Sequence, residues 1–324
     1  MLTGDTTALL VVSAVVGVVV GLTGMGGGAL MTPALIFLGV PPTAAVANDL
    51  VAAAVNKSVG AAVHWRRGSP HLRLAGLLVV GSVPTAFAGG WLVDALGTGP
   101  DQQRLVKTAI GATLVLTAAT YVLRIYLDLR GGSRRAGGGV RLRPTATVLL
   151  GMVGGLLVGV TSVGSGSLIM VCLILLYPAL SSRRLVGTDL VQAVPLVLAA
   201  AVGHVLVQGV DPAVLVPLIL GGTPGTFVGS RLSGVVSSSV TRRGIAIVLL
   251  LTGLAMLTVP PTWVGVTGVA AVLLGPLAWA AVRRAHGRPA FDRIRARGSA
   301  HDQATQDDGP GRLERPHVGP RVRR

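Results

Sequence analysis

The chain has 324 residues, of which 51% are hydrophobic and only 12% charged, with a mean hydropathy of +0.71. A soluble fold would have to bury nearly every long apolar run and would keep no polar surface for water, so the composition excludes a soluble domain and predicts a polytopic membrane protein. The formal net charge is +16, and much of it lies in the Arg-, Gly- and Pro-rich stretch 283–324, which cannot bury enough apolar surface to fold alone. That stretch reads as a solvated, disordered cytoplasmic tail drawn to anionic lipid, not as a nucleic-acid-binding segment.

In chain order, the amino end carries Asp5 and no basic residue before an apolar run at 8–23. That run is too long for a signal-peptide core, so it is expected to stay in the mature protein. The stretch GLTGMGGGALMTP (21–33), with five glycines, interrupts it, and a second run follows at 29–40. Longer segments are predicted at 44–64, 72–96 and 105–127, and a basic connector occupies 131–144. The pattern then starts again, with a broken pair at 145–163 and 167–178, segments at 188–207, 212–230 and 244–259, and a final segment at 263–282. The short half of each pair, ALMTPALIFLGV or SLIMVCLILLYP, has about 12 residues where a crossing needs roughly 20. The single cysteine, Cys172, excludes an internal disulfide and reads as a buried, inert side chain.

The restart is a duplication at a spacing of about 140 residues. GLTGMGGGALM from Gly21 answers to GVTSVGSGSLI from Gly159, NDLVAAA from Asn48 to TDLVQAV from Thr188, His64 to His204, and GSVPTAFAGGWL from Gly81 to GGTPGTFVGSRL from Gly221. This divides the chain into a first membrane repeat (1–130), the cytoplasmic connector (131–144), a second repeat (145–262), a final transmembrane helix (263–282) and the tail (283–324).

Basic residues in short loops mark the cytoplasmic side. WRRGSPHLR (65–73), the connector, SSRR (181–184), TRR (241–243) and the tail are therefore placed inside, and the amino end, GVPPTAAV (39–46), VQGVDPA (207–213) and VPPTW (259–263) outside. One arrangement satisfies all of these: each broken pair enters and leaves on one face, and the three segments after it each cross. The two repeats then have opposite orientations, a plan of secondary transporters whose site lies at the repeat interface near the midplane. Trp65, Trp91, Trp263 and Trp279 fall near segment ends, as interfacial anchors do.

The glycines admit three readings. GMGGGA from Gly24 matches the short dinucleotide fingerprint, but its flanks are membrane-length apolar runs, not the strand and helix of a soluble unit, and no nucleotide or other cofactor is implied. Small-residue helix packing explains Gly151, Gly155 and Gly159, which recur every fourth residue, and is a reading for Gly24 to Gly28 as well. A helix break is the third, tolerated in hydrocarbon only where freed backbone groups face protein or a watery cavity. On that reading Gly24, Gly26, Gly27 and Gly28 of the first break and Ser162, Gly164, Ser165, Gly166 and Ser167 of the second surround a small oxyanion with N–H and hydroxyl donors, and Asn48, Thr188 and Gln192 add neutral hydrogen bonds nearby.

Ionisable side chains at membrane depth are expensive and mark function. Asp49 and Asp189 are repeat-equivalent, and Lys57 follows Asp49 by about two helical turns on a similar face; these three are the candidate coupling residues. A structural ion pair or cap is the alternative for them. His64 and His204 sit at segment ends, where a surface-facing helix end accounts for them as well as proton transfer does. Arg231 is shallow and reads as packing or interfacial.

The glycine-rich broken first helix, the polar dipeptide before Leu, the run from His204 leading to GVDP, and the G-x-x-P-G-x-x-x-G-x-R-L stretch together resemble the sulfite exporter TauE/SafE family of membrane transporters, over residues 8–282. The resemblance implies movement of sulfur-containing anions such as sulfite, sulfonates or thiosulfate across the cell membrane. The chain departs from the family pattern at Asn48-Asp49-Leu50 and Thr188-Asp189-Leu190, where Thr-Ser-Leu is expected. An ionised carboxylate there repels an anion, so either it is protonated during transport or the substrate differs.

The expectation is an all-α polytopic secondary transporter of a small anion, coupled to an ion gradient with the proton as coupling ion. There is no G-x-x-x-x-G-K-[ST] run for ATP hydrolysis, and no metal is expected. The rivals are a non-transporting membrane scaffold and an intramembrane enzyme; the latter needs a catalytic constellation on one helix, and the sequence offers none.

Overall fold

In a computed structural model of the chain, the structure describes residues 6–23, 27–65, 70–130, 142–166, 168–180, 182–232 and 238–285. They form eleven α-helices: α1 (Thr6–Thr23), α2 (Gly28–Phe37), α3 (Pro42–Trp65), α4 (Leu72–Ala95), α5 (Pro100–Arg130), α6 (Pro144–Thr161), α7 (Leu168–Leu176), α8 (Ser182–Gln208), α9 (Pro212–Leu232), α10 (Ser238–Met256) and α11 (Pro261–Ala285). Seven of these are long and apolar enough to cross a membrane; α3 and α10, which carry charged residues of the site below, are not among them. The amino end, most of the connector and nearly all of the tail lie outside the described residues. The chain divides into units 1–276 and 277–324, and the packing below is that of the first.

Both broken pairs appear as expected, with short second halves of 10 and 9 residues for α2 and α7. Helix starts are set by proline: α3, α5, α6, α9 and α11 open on Pro42, Pro100, Pro144, Pro212 and Pro261. A missing N–H costs nothing in the first turn, and the fixed φ suits the helix. This is why α5 begins at Pro100 and not at 105, where the apolar run begins.

Helices α1 and α9 run in the same direction in backbone contact: the carbonyls of Leu10, Ala14 and Val18 lie against Gly221, Gly225 and Gly229 in turn. Helices α4 and α6 repeat the arrangement, with the carbonyls of Leu78, Ser82 and Ala86 against Gly151, Gly155 and Gly159. A Cβ at any of these six glycines would overlap a carbonyl of the facing helix, so the stripe at 151, 155 and 159 is the packing surface its spacing predicts. The duplication maps α1 onto α6 and α9 onto α4, so the two interfaces are counterparts.

Two hydrogen bonds made by buried side chains also correspond. Asn48 of α3 accepts the Asp211 N–H, just before α9, at 3.2 Å, and Thr188 of α8 accepts the His71 N–H, just before α4, at 3.0 Å. Each repeat therefore holds the start of the other's fourth helix. Apolar side chains such as Val15, Leu149, Leu206, Leu220 and Phe227 are left exposed, as a lipid-facing surface requires.

Candidate functional site: a charged cavity between the two helix breaks

The α6–α7 break is made by backbone geometry. Ser162 caps α6 at φ 59, in the left-handed region, and its N–H still reaches the Val158 carbonyl at 2.7 Å. Gly164 follows at φ 112, a conformation that side-chain-bearing residues rarely adopt. The first break meets the second here, because a Cβ on Gly28 would run into the Ser162 carbonyl. Gly27, by contrast, faces open space, with nothing within 4 Å of where its Cβ would be.

Asp49, only 2% exposed, joins the breaks. Its Oδ2 accepts the Thr32 hydroxyl of α2 at 2.6 Å and the Ser162 hydroxyl at 2.7 Å. Two turns on, the Lys57 ammonium donates to the Ser165 hydroxyl of the second break. Asp189, 6% exposed, accepts from Gln192 Nε2 at 3.0 Å on its own helix.

Gly27 and Gly166 of the two breaks, with Asp49, Lys57 and Asp189, border one cavity of about 430 Å³, whereas Gly28, Ser162, Gly164 and Ser165 shape the breaks behind it and do not line it. Three further titratable side chains line it that sequence reasoning did not select, Arg124 and Tyr121 of α5 and Arg242 of α10, together with neutral polar groups such as Asn56, Thr226 and Thr241. Their signal was present in TYVLR, where Tyr121 and Arg124 are three residues apart and share a helix face, inside a run long enough to cross. The charged lining among the described residues is thus Lys57, Arg124 and Arg242 against Asp49 and Asp189. A cavity of this size, with a few convergent polar groups on apolar walls, suits a small ligand, and its basic excess suits an anion.

Not every expected residue converges on it. Asn48 and Thr188 are fully buried in the inter-helix bonds already described and do not line the cavity. Gly24, Gly26 and Ser167 lie outside the described residues, as does the His64 side chain. His204 is not at a surface: it is completely buried, with Nε2 2.6 Å from the Gly159 carbonyl. Sequence position misleads there because Gly90 and Gly203 let α4 and α8 close tightly around that end of the helix. Arg231 is exposed, with its guanidinium 4.9 Å from the Phe227 ring centre, which agrees with a packing role. Cys172 is half-buried on α7, less enclosed than expected.

Residues 9–256 match the sequence model of the family described as Sulfite exporter TauE/SafE. The chain belongs to the TauE/SafE family. It is 36% identical over 256 residues to Probable membrane transporter protein YjnA of Bacillus subtilis (strain 168), covering 77% of this chain and 99% of that protein. It is also 25% identical over 251 residues to Probable membrane transporter protein YdhB of the same organism, again 77% of this chain and 99% of the relative. No solved structure matches it. The part of this TauE/SafE chain that the family shares contains the whole cavity, and the protein is a multi-pass membrane transporter.

Proposed function

We propose that this TauE/SafE protein is a secondary active transporter of a small sulfur-containing anion, of the sulfite, sulfonate or thiosulfate class, and that the cavity between the two breaks is its substrate site. The observation that carries this reading is the convergence on one cavity of both breaks, Lys57, two arginines and the two repeat-equivalent carboxylates. Interrupted helices at membrane depth aim backbone dipoles at a substrate, and the basic side chains supply the charge. The proton is the coupling ion, with Asp49, Asp189 and Lys57 as the candidates for handling it.

The inverted-repeat reading is supported by helix directions. Helices α1 and α3 run parallel to α9, and α6 and α8 run parallel to α4, so each element falls in the opposite set from its counterpart. Only residues 209–211 separate α8 from α9, which favours an antiparallel pair. Under the loop-charge orientation the cavity wall comes from cytoplasmic helix ends: the last turns of α1 and α9 and the first turns of α8 and α10. The cavity then opens inward.

Purified protein in proteoliposomes tests the reading by uptake of labelled sulfite, methanesulfonate and thiosulfate with and without an imposed pH gradient. Gradient-driven accumulation of at least one is expected; no flux of any, in either gradient, overturns it. Orientation is checked with single cysteines at Thr6, Ser182 and Ser299 in a Cys172→Ala background, of which only the first is expected to label from outside. External labelling at Ser182 would remove the inverted arrangement.

A further inference from the structure

We infer that the two repeat-equivalent aspartates have divided roles: Asp49 holds the two breaks together, whereas Asp189 carries the coupling proton, and the transported anion takes the place of its carboxylate beside Lys57. This rests on the anion-transport reading above.

The geometry separates the two acids. Asp49 bonds at once to α2 and to the α6–α7 break, so disturbing it loosens contacts between three elements. Among the described residues Asp189 hydrogen-bonds within its own helix, to Gln192 one turn on, and can change state without breaking a hydrogen bond between elements. The duplication accounts for the difference. Thr32 and Ser162, the donors to Asp49, answer to Met170 and Gly24 in the other repeat, and neither of these has a side chain that donates a hydrogen bond.

Gln192 fits a carboxyl group that changes protonation. It is completely buried, and while Nε2 donates to Asp189 its Oε1 has no hydrogen-bond partner among the described residues. Rotating the amide by half a turn presents Oε1 to a protonated Asp189, so one side chain serves both states of the acid.

Lys57 is the shared cation. Asp49 and Asp189 both line the cavity with it, and Asp189 is the one whose carboxylate is not held between the breaks. The other titratable or charged groups around Asp189 are Asp49 on α3, Tyr121 and Arg124 on α5, and Arg242 on α10, with His71 of α4 near the start of α8. With Asp189 ionised, its carboxylate balances Lys57 and repels an entering anion. A proton from the aqueous phase added to a carboxylate oxygen of Asp189 removes that negative charge. The anion then supplies it beside Lys57, against the fixed charges of Arg124 and Arg242. Release reverses both steps, so proton and anion travel in the same direction.

The test uses thiosulfate, which stays fully ionised from mildly acidic to mildly alkaline pH, with the full chain in proteoliposomes. In the parent, apparent affinity is expected to rise about tenfold for each unit that pH falls, across the range where one linked proton binds. In Asp189→Asn, exchange of thiosulfate persists with an affinity that does not change with pH, and a pH gradient no longer drives accumulation. Asp189→Glu restores both. Asp49→Asn lowers thermal stability but keeps the pH slope; should it not fold, Thr32→Val and Ser162→Ala, each removing one donor, take its place with the same expectation. A pH slope or gradient-driven accumulation that survives in Asp189→Asn overturns the inference while the parent's flux leaves the transport reading standing. A flat slope in the Asp49 series, with a normal one in Asp189→Asn, does the same. A parent that moves no thiosulfate in either gradient overturns both.

Discussion

The two helix breaks descend from one duplicated segment, yet they are built differently. The first is a run of glycines whose last member, Gly28, lies against the other break while Gly27 opens on the cavity. The second is a polar cap: left-handed Ser162 bonds to Asp49, Ser165 accepts from Lys57, and Gly164 makes the turn. Both of its polar partners come from α3 of the first repeat, whereas Asp189, the counterpart on α8, bonds to Gln192 of its own helix. The difference teaches that duplication fixed the helix frame, while the chemistry became concentrated on one side of the site. A frame position must fit a neighbouring backbone, and a site position must leave room for a ligand.

The strongest way to break this distinction is to put the same side chain at one glycine of each kind. Gly225→Leu places a bulky group against the Ala14 carbonyl, between helices whose backbones touch. Its cost is expected to exceed the ~1–3 kcal/mol of ordinary overpacking, and the folded protein should be lost from size-exclusion profiles. Gly27→Leu meets open space, so it should fold and reach the membrane with little anion flux. Equal behaviour of the two variants would erase the contrast between frame and site.

Next in size is Lys57→Gln, which keeps a donor for Ser165 but removes the charge from the cavity. Loss of a hydrogen bond to a charged partner is worth about 1.5–3 kcal/mol, so anion affinity measured by flux should fall by about 10–100-fold. An unchanged affinity would confine Lys57 to a structural bond across the breaks.

These contrasts also mark how far the sequence could be read. The broken pairs, the repeat and the packing stripe at Gly151, Gly155 and Gly159 were legible because each is a periodic, local property of the chain. The pairing of Asp49 with Thr32 and Ser162 was not, since Thr32 and Ser162 stand 17 and 113 residues away from it and meet it only through tertiary packing. Arg124 and Arg242 were hidden for a related reason: each belongs to a basic stretch that the loop-charge rule assigns to the cytoplasm, whereas the fold places both in helices that line the cavity. Asn48 and Thr188 erred in the other direction. Their polarity and their place beside the aspartates suggested ligand contact, but successive helix positions point about 100° apart, and both divide their side-chain bonds between their own helix and the neighbouring repeat.

That last pair provides the smallest expected effect and the finest test of the shared frame. Asn48→Ala and Thr188→Ala each remove a part-buried inter-repeat hydrogen bond. Each should lower stability by about 1 kcal/mol, seen as a modest and similar drop in melting temperature, with anion affinity unchanged. A selective loss of affinity in either would return that residue to the substrate site.

The central claim is that the anion binds between the two breaks, and locating the anion tests it most directly. Selenite, the heavier analogue of sulfite, can be placed by anomalous scattering in crystals of the protein. The account predicts a selenium peak inside the cavity, in contact with Lys57 and flanked by Arg124 and Arg242; a peak held elsewhere on the protein, with this cavity empty, would contradict it.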